Sequence, residues 1–148
     1  MYEQHRFGVQ LMHLSRAWRA ELDRRLADKG LSQARWLVLL HLGRFNMAPA
    51  QRELADSIGI EGPTLARTLD ALERQGLIRR QACATDRRIN RIHLTENATE
   101  LVTSIEAIAQ QLREEVMFGL TPEELQLCQR VHVRMLKNLE VSSRLFGL

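Results

Sequence analysis

The residues best equipped for recognition chemistry lie in one stretch, residues 79–91, which holds five arginines and one acidic residue, Asp86. The guanidinium group is planar, permanently charged, and presents a fork of donors that matches a phosphate group or the edge of a guanine. Short β-type runs at residues 77–80 and 91–94 flank the stretch and predict a hairpin with this basic loop at its tip. The pattern therefore favours contact with an anionic partner.

The segment before the hairpin predicts two helices joined by a tight turn. Residues 51–57 form the first, Gly59 supplies the turn, and the second begins near Pro63, because a residue without an amide proton suits the first helical position. Its expected buried stripe consists of Leu65, Leu69 and Leu72. Its opposite face consists of Thr64, Arg67, Thr68 and Ala71. Such a short hydrogen-bonding strip, with a small residue where close approach would be needed, suits entry into the major groove of DNA.

Other helices are expected on both sides of this central segment. Ser32 caps a helix over residues 33–42, Thr95 caps a fifth helix, and Thr121 with Glu124 forms a capping box that opens a sixth. A long first helix ends at Gly30. Its apolar stripe consists of Leu11, Leu14, Trp18, Leu22 and Leu26. The first, fifth and sixth helices lack partners within the small centre, so we expect them to pack in a homodimer. The expected contact includes the apolar tail residues Leu145, Phe146 and Leu148.

Composition limits the class of protein. A chain of 148 residues with 45% hydrophobic and 26% charged residues fits one globular domain, and a net charge of +3 favours an anionic partner only weakly. No apolar run approaches the roughly 18 residues of a membrane span, and no signal-peptide stretch is evident, so we expect a cytoplasmic protein. Cys83 and Cys128 form no Cys-x-x-Cys pair and the histidines stand far apart. We therefore expect no metal site and no cofactor.

Taken together, these motifs resemble the MarR family of bacterial transcription regulators, and within it the SlyA-type branch. The resemblance covers nearly the whole chain. Its most specific part is the Asp-x-Arg wing motif at Asp86 and Arg88. The stretches that carry it are Leu54-Ala55, Ile58-Gly59-Ile60-Glu61, Pro63, Leu65, Arg67-Thr68-Leu69-Asp70, Leu72-Glu73, Gly76-Leu77-Ile78, Asp86-Arg87-Arg88 and Leu94-Thr95.

The resemblance implies a mainly α (α+β) fold, a winged helix-turn-helix with a two-strand wing and long N- and C-terminal dimerisation helices. Residues 1–148 would form a single domain, with a DNA-binding lobe at 32–95 and dimerisation helices at 1–31 and 96–148. The implied partner is double-stranded DNA, a pseudo-palindromic and AT-rich operator bound by a homodimer. Repression and activation are both compatible with this pattern.

Site residues also follow from the resemblance. Those implied to lie in the major groove are Pro63, Thr64, Arg67 and Thr68. Arg88 would enter the minor groove, Asp86 would orient it, and Arg87 would contact phosphate. A pocket for a small aromatic acid would involve Trp36, Arg19 and Thr68. The chain departs from the family pattern at Ala50, Gly62 and Leu40, where relatives often carry a helix cap, a larger side chain and a polar ring.

Two alternatives remain beside DNA recognition. Cys83 is a candidate redox switch or thiol nucleophile, since nearby arginines would lower its pKa, but no general base accompanies it and we do not expect an enzyme. The arginines in question are Arg79, Arg80, Arg87 and Arg88. The other alternative is a winged helix that binds protein, which the exposed arginine wing disfavours.

Overall fold

The structure, a computed structural model, describes the backbone of residues 1–146 and the side chains of residues 1–140. In chain order its elements are α1 (Tyr2–Arg25), α2 (Gln33–Leu42), α3 (Gln51–Ile58), α4 (Gly62–Arg74), β1 (Ile78–Ala82), β2 (Asn90–Leu94), α5 (Thr99–Val116) and α6 (Pro122–Phe146). A 3-10 turn follows α1, so the first helix ends at Arg25 and not at Gly30 as expected, and another precedes α5. Contacts group the chain into two compact units, Met1–Arg113 and Glu114–Leu148. The mainly helical chain with one antiparallel hairpin confirms the predicted fold class.

Local signals determine where several helices begin and end. The Ser32 hydroxyl accepts a hydrogen bond from the backbone N–H of Arg35 at 3.4 Å, and α2 stops at Gly43, so its predicted bounds are confirmed. Gly59 turns the chain between α3 and α4 with a φ of 79°, a left-handed conformation that glycine adopts without steric cost. This turn brings α4 back across α3.

The first unit is built on one apolar core. Its fully buried side chains include Trp36, Leu39, Leu54, Leu65, Leu69, Leu72, Ile78, Ile92 and Ile105. Burying each of the aliphatic ones contributes about 1.5–3 kcal/mol to the free energy of unfolding. The indole N–H of Trp36 donates to the Asp23 carboxylate at 2.8 Å, so that α1 is tied to α2. Helix α4 packs on α2 and shares this core.

The hairpin extends further toward its tip than the sequence predicted. Ile78 lies opposite Leu94, and the pairing continues to Ala82 opposite Asn90, so the expected ends at residues 80 and 91 were wrong. The backbone N–H of Ile92 also donates to the carbonyl of Pro49 at 2.9 Å. The segment before α3 therefore pairs with β2 on the edge away from β1.

Two expectations about single residues are corrected. Ala71 is buried rather than part of an open face, because α4 contacts α2, α3 and β1 and its buried arc is wider than one stripe. Thr95 does not cap α5. Its hydroxyl donates to the carbonyl of Gly76 at 2.6 Å, and a 3-10 turn separates it from the helix.

The second unit contains the end of α5 and the helix α6. The predicted capping box is confirmed, since Thr121 Oγ1 accepts from the Glu124 N–H at 3.1 Å and the Thr121 N–H donates to the Glu124 carboxylate at 2.8 Å. Helix α6 carries several exposed apolar side chains in the single chain: Leu127, Val133, Leu136 and Leu139. The predicted contacts of Leu145, Phe146 and Leu148 lie outside the described side chains. Within the described residues, no helix combines the length and apolarity of a membrane span.

Candidate nucleic-acid interface

The tip of the hairpin holds one arginine in a fixed orientation. The Asp86 carboxylate accepts hydrogen bonds from the backbone N–H, the Nε and the Nη2 of Arg88, each at 3.1 Å. The Arg88 side chain is nevertheless 90% exposed. The hydrogen bond from the Arg88 side chain holds the pKa of Asp86 below its ordinary value, so this carboxylate stays charged. Asp86 therefore orients a guanidinium group that solvent still surrounds.

Backbone contacts close the loop around this pair. The N–H of Cys83 donates to the carbonyl of Ile89 at 2.7 Å, and the N–H of Ile89 donates to the carbonyl of Asp86 at 3.0 Å. Arg87 is exposed at the turn and has no hydrogen bond or ion pair with any residue that the structure describes. Its charge is available to a phosphate.

The base of the hairpin uses arginine differently. The backbone N–H of Arg80 donates to the Glu73 carboxylate at 3.0 Å, and its guanidinium donates to both Asp70 and Glu73. These hydrogen bonds raise the pKa of Arg80 and lower that of Glu73. Arg91 donates to the carbonyl of Ala48 at 3.0 Å. Arg80 and Arg91 therefore connect elements of the fold, and only part of the basic cluster faces an outside partner.

Helix α4 presents most of its predicted recognition residues to solvent. Pro63, Thr64 and Arg67 are exposed, whereas Thr68 is half-buried and its hydroxyl donates to the Thr64 carbonyl at 3.3 Å. A β carbon built at Gly62 would have no atom within 4 Å, so the space beside the start of α4 is open. Backbone of a partner can approach this end of the helix closely.

A groove of about 1190 Å³ runs between α3, the first turn of α4 and the hairpin. Arg88 lines it from the hairpin side and Pro63 from the α4 side, which brings the two predicted parts of the interface onto one surface. Gln51 and Arg52 line it as well, and sequence reasoning missed them. Their polar side chains in the first turn of α3, directly after the extended link, were the available signal.

The three residues expected to bind an aromatic acid differ in their exposure to solvent. Trp36 is fully buried in the core, Arg19 is exposed on α1, and Thr68 is half-buried on α4. No hydrogen bond or ion pair between described residues joins them. Near Arg19, burial lowers the pKa of His41, and the charges of Arg44 and Arg19 lower it further. A role of Trp36 in ligand binding stays a prediction.

Cys83 lies at the start of the hairpin loop, with its sulfur 3.2 Å from the hydroxyl oxygen of Thr85. This hydrogen bond, followed by the backbone N–H groups of Thr85 and Asp86 and the side chain of Arg91, lowers the pKa of the thiol to about 7. The expected direction holds, but the expected cause was wrong. Thr85, two backbone N–H groups and Arg91 supply the donors, whereas Arg80 and Arg88, two of the arginines named for this effect, are bonded to carboxylates.

Comparisons with known proteins place this arrangement in a family. The family model for the MarR family matches residues 29–89. The transcriptional regulator PA3341, known from a crystal structure, is 60% identical in sequence to this chain and superposes with a TM-score of 0.84. The match covers 90% of this chain and 98% of the PA3341 chain. The chain belongs to the MarR family. As a member it is a transcription regulator with a DNA-binding winged-helix fold, which confirms the predicted family.

Other MarR-type structures share the fold at lower identity. The transcriptional regulator SlyA is 25% identical in sequence with a TM-score of 0.80, and the match covers 94% of this chain and 97% of the SlyA chain. S. aureus MepR, solved in a complex with DNA, is 24% identical in sequence with a TM-score of 0.78. That match covers 90% of this chain and 97% of the MepR chain. Because the two match about equally well, the SlyA-type branch stays a prediction. The family model and the PA3341 match both show a family of transcription regulators.

Proposed function

We propose that this MarR-family regulator binds a pseudo-palindromic operator as a homodimer, with α4 in the major groove and the hairpin tip in the adjoining minor groove. The observation that carries the proposal is the exposed Arg88 fork, which Asp86 orients on the same groove that α4 borders. An arginine in a narrow minor groove responds to the negative potential that concentrates there. The operator is therefore expected to be AT-rich beside each half-site.

The dimer part of the proposal rests on apolar side chains that the single chain leaves exposed. Phe7, Leu11 and Leu14 on α1 are among them, as are Leu136 and Leu139 on α6. A two-fold dimer covers such surfaces and presents two recognition helices to successive turns of DNA, about 34 Å apart. Sedimentation equilibrium at micromolar concentration is expected to show a dimer, and a monomer there would contradict the proposal.

Arg67 tests the major-groove contact. Substituting Arg67→Ala is expected to weaken specific binding by about 1–3 kcal/mol, because the side chain loses a pairing with a guanine edge or a phosphate. Arg16→Ala removes the same charge from an exposed position on α1, on the face opposite Leu11 and Leu14, and serves as the control. If fluorescence anisotropy with the operator shows equal affinity for wild type and Arg67→Ala, α4 is not the recognition helix.

Arg88 and Arg87 test the minor-groove contact. Arg88→Ala is expected to weaken binding most on operators with AT-rich flanks, because such flanks have narrow minor grooves. Arg87→Ala is expected to weaken binding to all sequences alike and to reduce the salt slope by about one ion. Asp86→Ala should resemble a milder loss of Arg88. Titrations against AT-flanked and GC-flanked duplexes measure this difference, and equal losses for both arginines on both duplexes would rule out the minor-groove role.

We further propose that a small aromatic carboxylate weakens operator binding, as the family resemblance implies. Arg19 offers an exposed cation, and its charge already acts on His41. Because coupling is reciprocal, a ligand that prefers the free dimer must lower DNA affinity by the same factor. Anisotropy titrations with millimolar salicylate, compared between wild type and Arg19→Ala, test this control. Salicylate binding without any change in operator affinity would contradict it.

A further inference from the structure

Helices α2 and α5 meet at a contact that leaves no room for a side chain. Gly43 follows α2 with a φ of −64°, an ordinary helical value, so its backbone does not require glycine. A β carbon built there would lie 2.6 Å from Cγ1 of Val102, far inside van der Waals contact. Valine is stiff on a helix, since one χ1 rotamer strongly dominates. Gly43 therefore allows α2 and α5 to approach each other.

A charged cluster braces the same junction. Glu106, one turn along α5 from Val102, accepts from Arg44 Nε at 3.1 Å and from Arg113 Nη2 at 2.8 Å. Burial acts to raise the pKa of Glu106, but the hydrogen bonds from Arg113 and Arg44 outweigh it and the pKa is lowered. Glu106 thus stays charged and bonded to both arginines. The steric contact and the ion pair between Arg44 and Glu106 together attach α5 to the end of α2, and Arg113 holds Glu106 from within α5.

We infer that Gly43, Val102 and Glu106 form a positioning joint that sets where α5 lies against α2, and thereby the spacing of half-sites that the dimer accepts. The inference rests on the proposed dimeric function, in which α5 belongs to the dimerisation helices. Helix α2 packs directly on α4, so a displacement between α2 and α5 moves the recognition helix relative to the two-fold axis. Adjacent base pairs differ by only about 3.4 Å along the duplex, so small displacements change the preferred spacing.

The experiment first selects an operator from a random duplex library with the wild-type dimer. Binding is then measured on that duplex, on versions with one base pair added or removed between half-sites, and on a duplex with one half-site scrambled. Gly43→Ala is expected to weaken binding to the selected duplex by about fivefold while the single half-site is bound as before. The double variant Gly43→Ala with Val102→Ala removes the clashing methyl group and is expected to restore binding.

Glu106→Gln keeps the shape of the side chain and removes its charge, so it tests the brace without a steric change. This variant is expected to lose less affinity than the wild type when one base pair is added or removed between the half-sites. Its affinity for the single half-site is expected to be unchanged. Three outcomes would overturn this inference and leave the proposed function standing. They are equal losses on full and half sites, no loss at all, and a double variant whose binding is not restored. A wild-type protein that selects no duplex, or selects one as a monomer, would overturn the proposed function and this inference with it.

Discussion

The base and the tip of the hairpin use the same residue types in opposite ways. At the base, Arg80 is bonded to two carboxylates of α4 and Ile92 is fully buried. At the tip, Arg88 is 90% exposed and Ile89 is 38% exposed. Residue type alone therefore does not separate positions that pack in the fold from positions that stay exposed. Register separates them, because Arg80 pairs with Ile92 on the face that packs against α4.

The difference separates the contacts that hold the base of the hairpin from those that shape its tip. The core and the ion pairs of Arg80 hold the base, whereas local hydrogen bonds such as that between Asp86 and Arg88 hold the tip. An exposed ion pair contributes little to the free energy of unfolding. The fold therefore depends little on the exposed cations of the tip, which leaves them available for the DNA contact proposed above.

The largest expected effect comes from the two isoleucines. Ile92→Ala is expected to lower the free energy of unfolding by about 2–5 kcal/mol, because it leaves a cavity among fully buried side chains. Ile89→Ala makes the same chemical change at the tip and is expected to cost less than about 1 kcal/mol. Urea unfolding of both variants measures the difference. Similar losses would show that the tip is part of the core in solution.

A smaller effect separates the two arginines. Arg80→Ala is expected to lower the free energy of unfolding by about 1–2 kcal/mol, because Asp70 and Glu73 lose a charged partner that is only 24% exposed. Arg88→Ala is expected to leave unfolding unchanged, since its side chain is almost fully exposed. Urea unfolding with both variants gives the comparison, and a larger loss for Arg88→Ala would reverse our assignment of roles.

The effect of Arg80 should also depend on pH. The hydrogen bond from Arg80 holds the pKa of Glu73 below its ordinary value. A lowered carboxylate pKa contributes stability that is present above the ordinary pKa and is lost as the pH falls through the lowered one. The difference between wild type and Arg80→Ala should therefore be full at neutral pH and shrink in acid. A difference that grows in acid would contradict this account.

The sequence predicted most reliably what local chemistry determines. Ser32 and Gly43 bound α2 because a cap and a terminating glycine act within one turn. Thr121 and Glu124 form their capping box for the same reason. The buried stripe of α4 was also predictable, since Leu65 and Leu69 follow the helical period.

Features that depend on several elements at once could not be predicted. Ala71 is buried because three elements surround α4, which a helical period on its own does not reveal. Arg80 turns toward α4 because of the strand register. The predicted strand also ended two residues too early, at residue 80 and not at Ala82. The bond from Trp36 to Asp23 joins residues of different helices, so nothing in the local pattern predicts it.

The smallest expected effect is a change in the reactivity of Cys83, which reports whether the hairpin loop keeps its hydrogen bonds. The Thr85 hydroxyl, with backbone donors nearby, lowers the pKa of the Cys83 thiol to about 7. Because the thiolate is the reactive form, alkylation of Cys83 by iodoacetamide should rise with pH to a half-maximum near that value. A Cys128→Ser background removes the other thiol. Mass spectrometry over a pH series gives the midpoint.

Variants of Thr85 determine whether local hydrogen bonds order the tip. Thr85→Ala removes the hydroxyl and is expected to raise the midpoint of alkylation, whereas Thr85→Ser keeps the hydroxyl and is expected to leave it near the wild-type value. If all three proteins share one midpoint, the loop does not hold this geometry in solution. The orientation of Arg88 by Asp86, which depends on the same closed loop, would then need support from the DNA titrations alone.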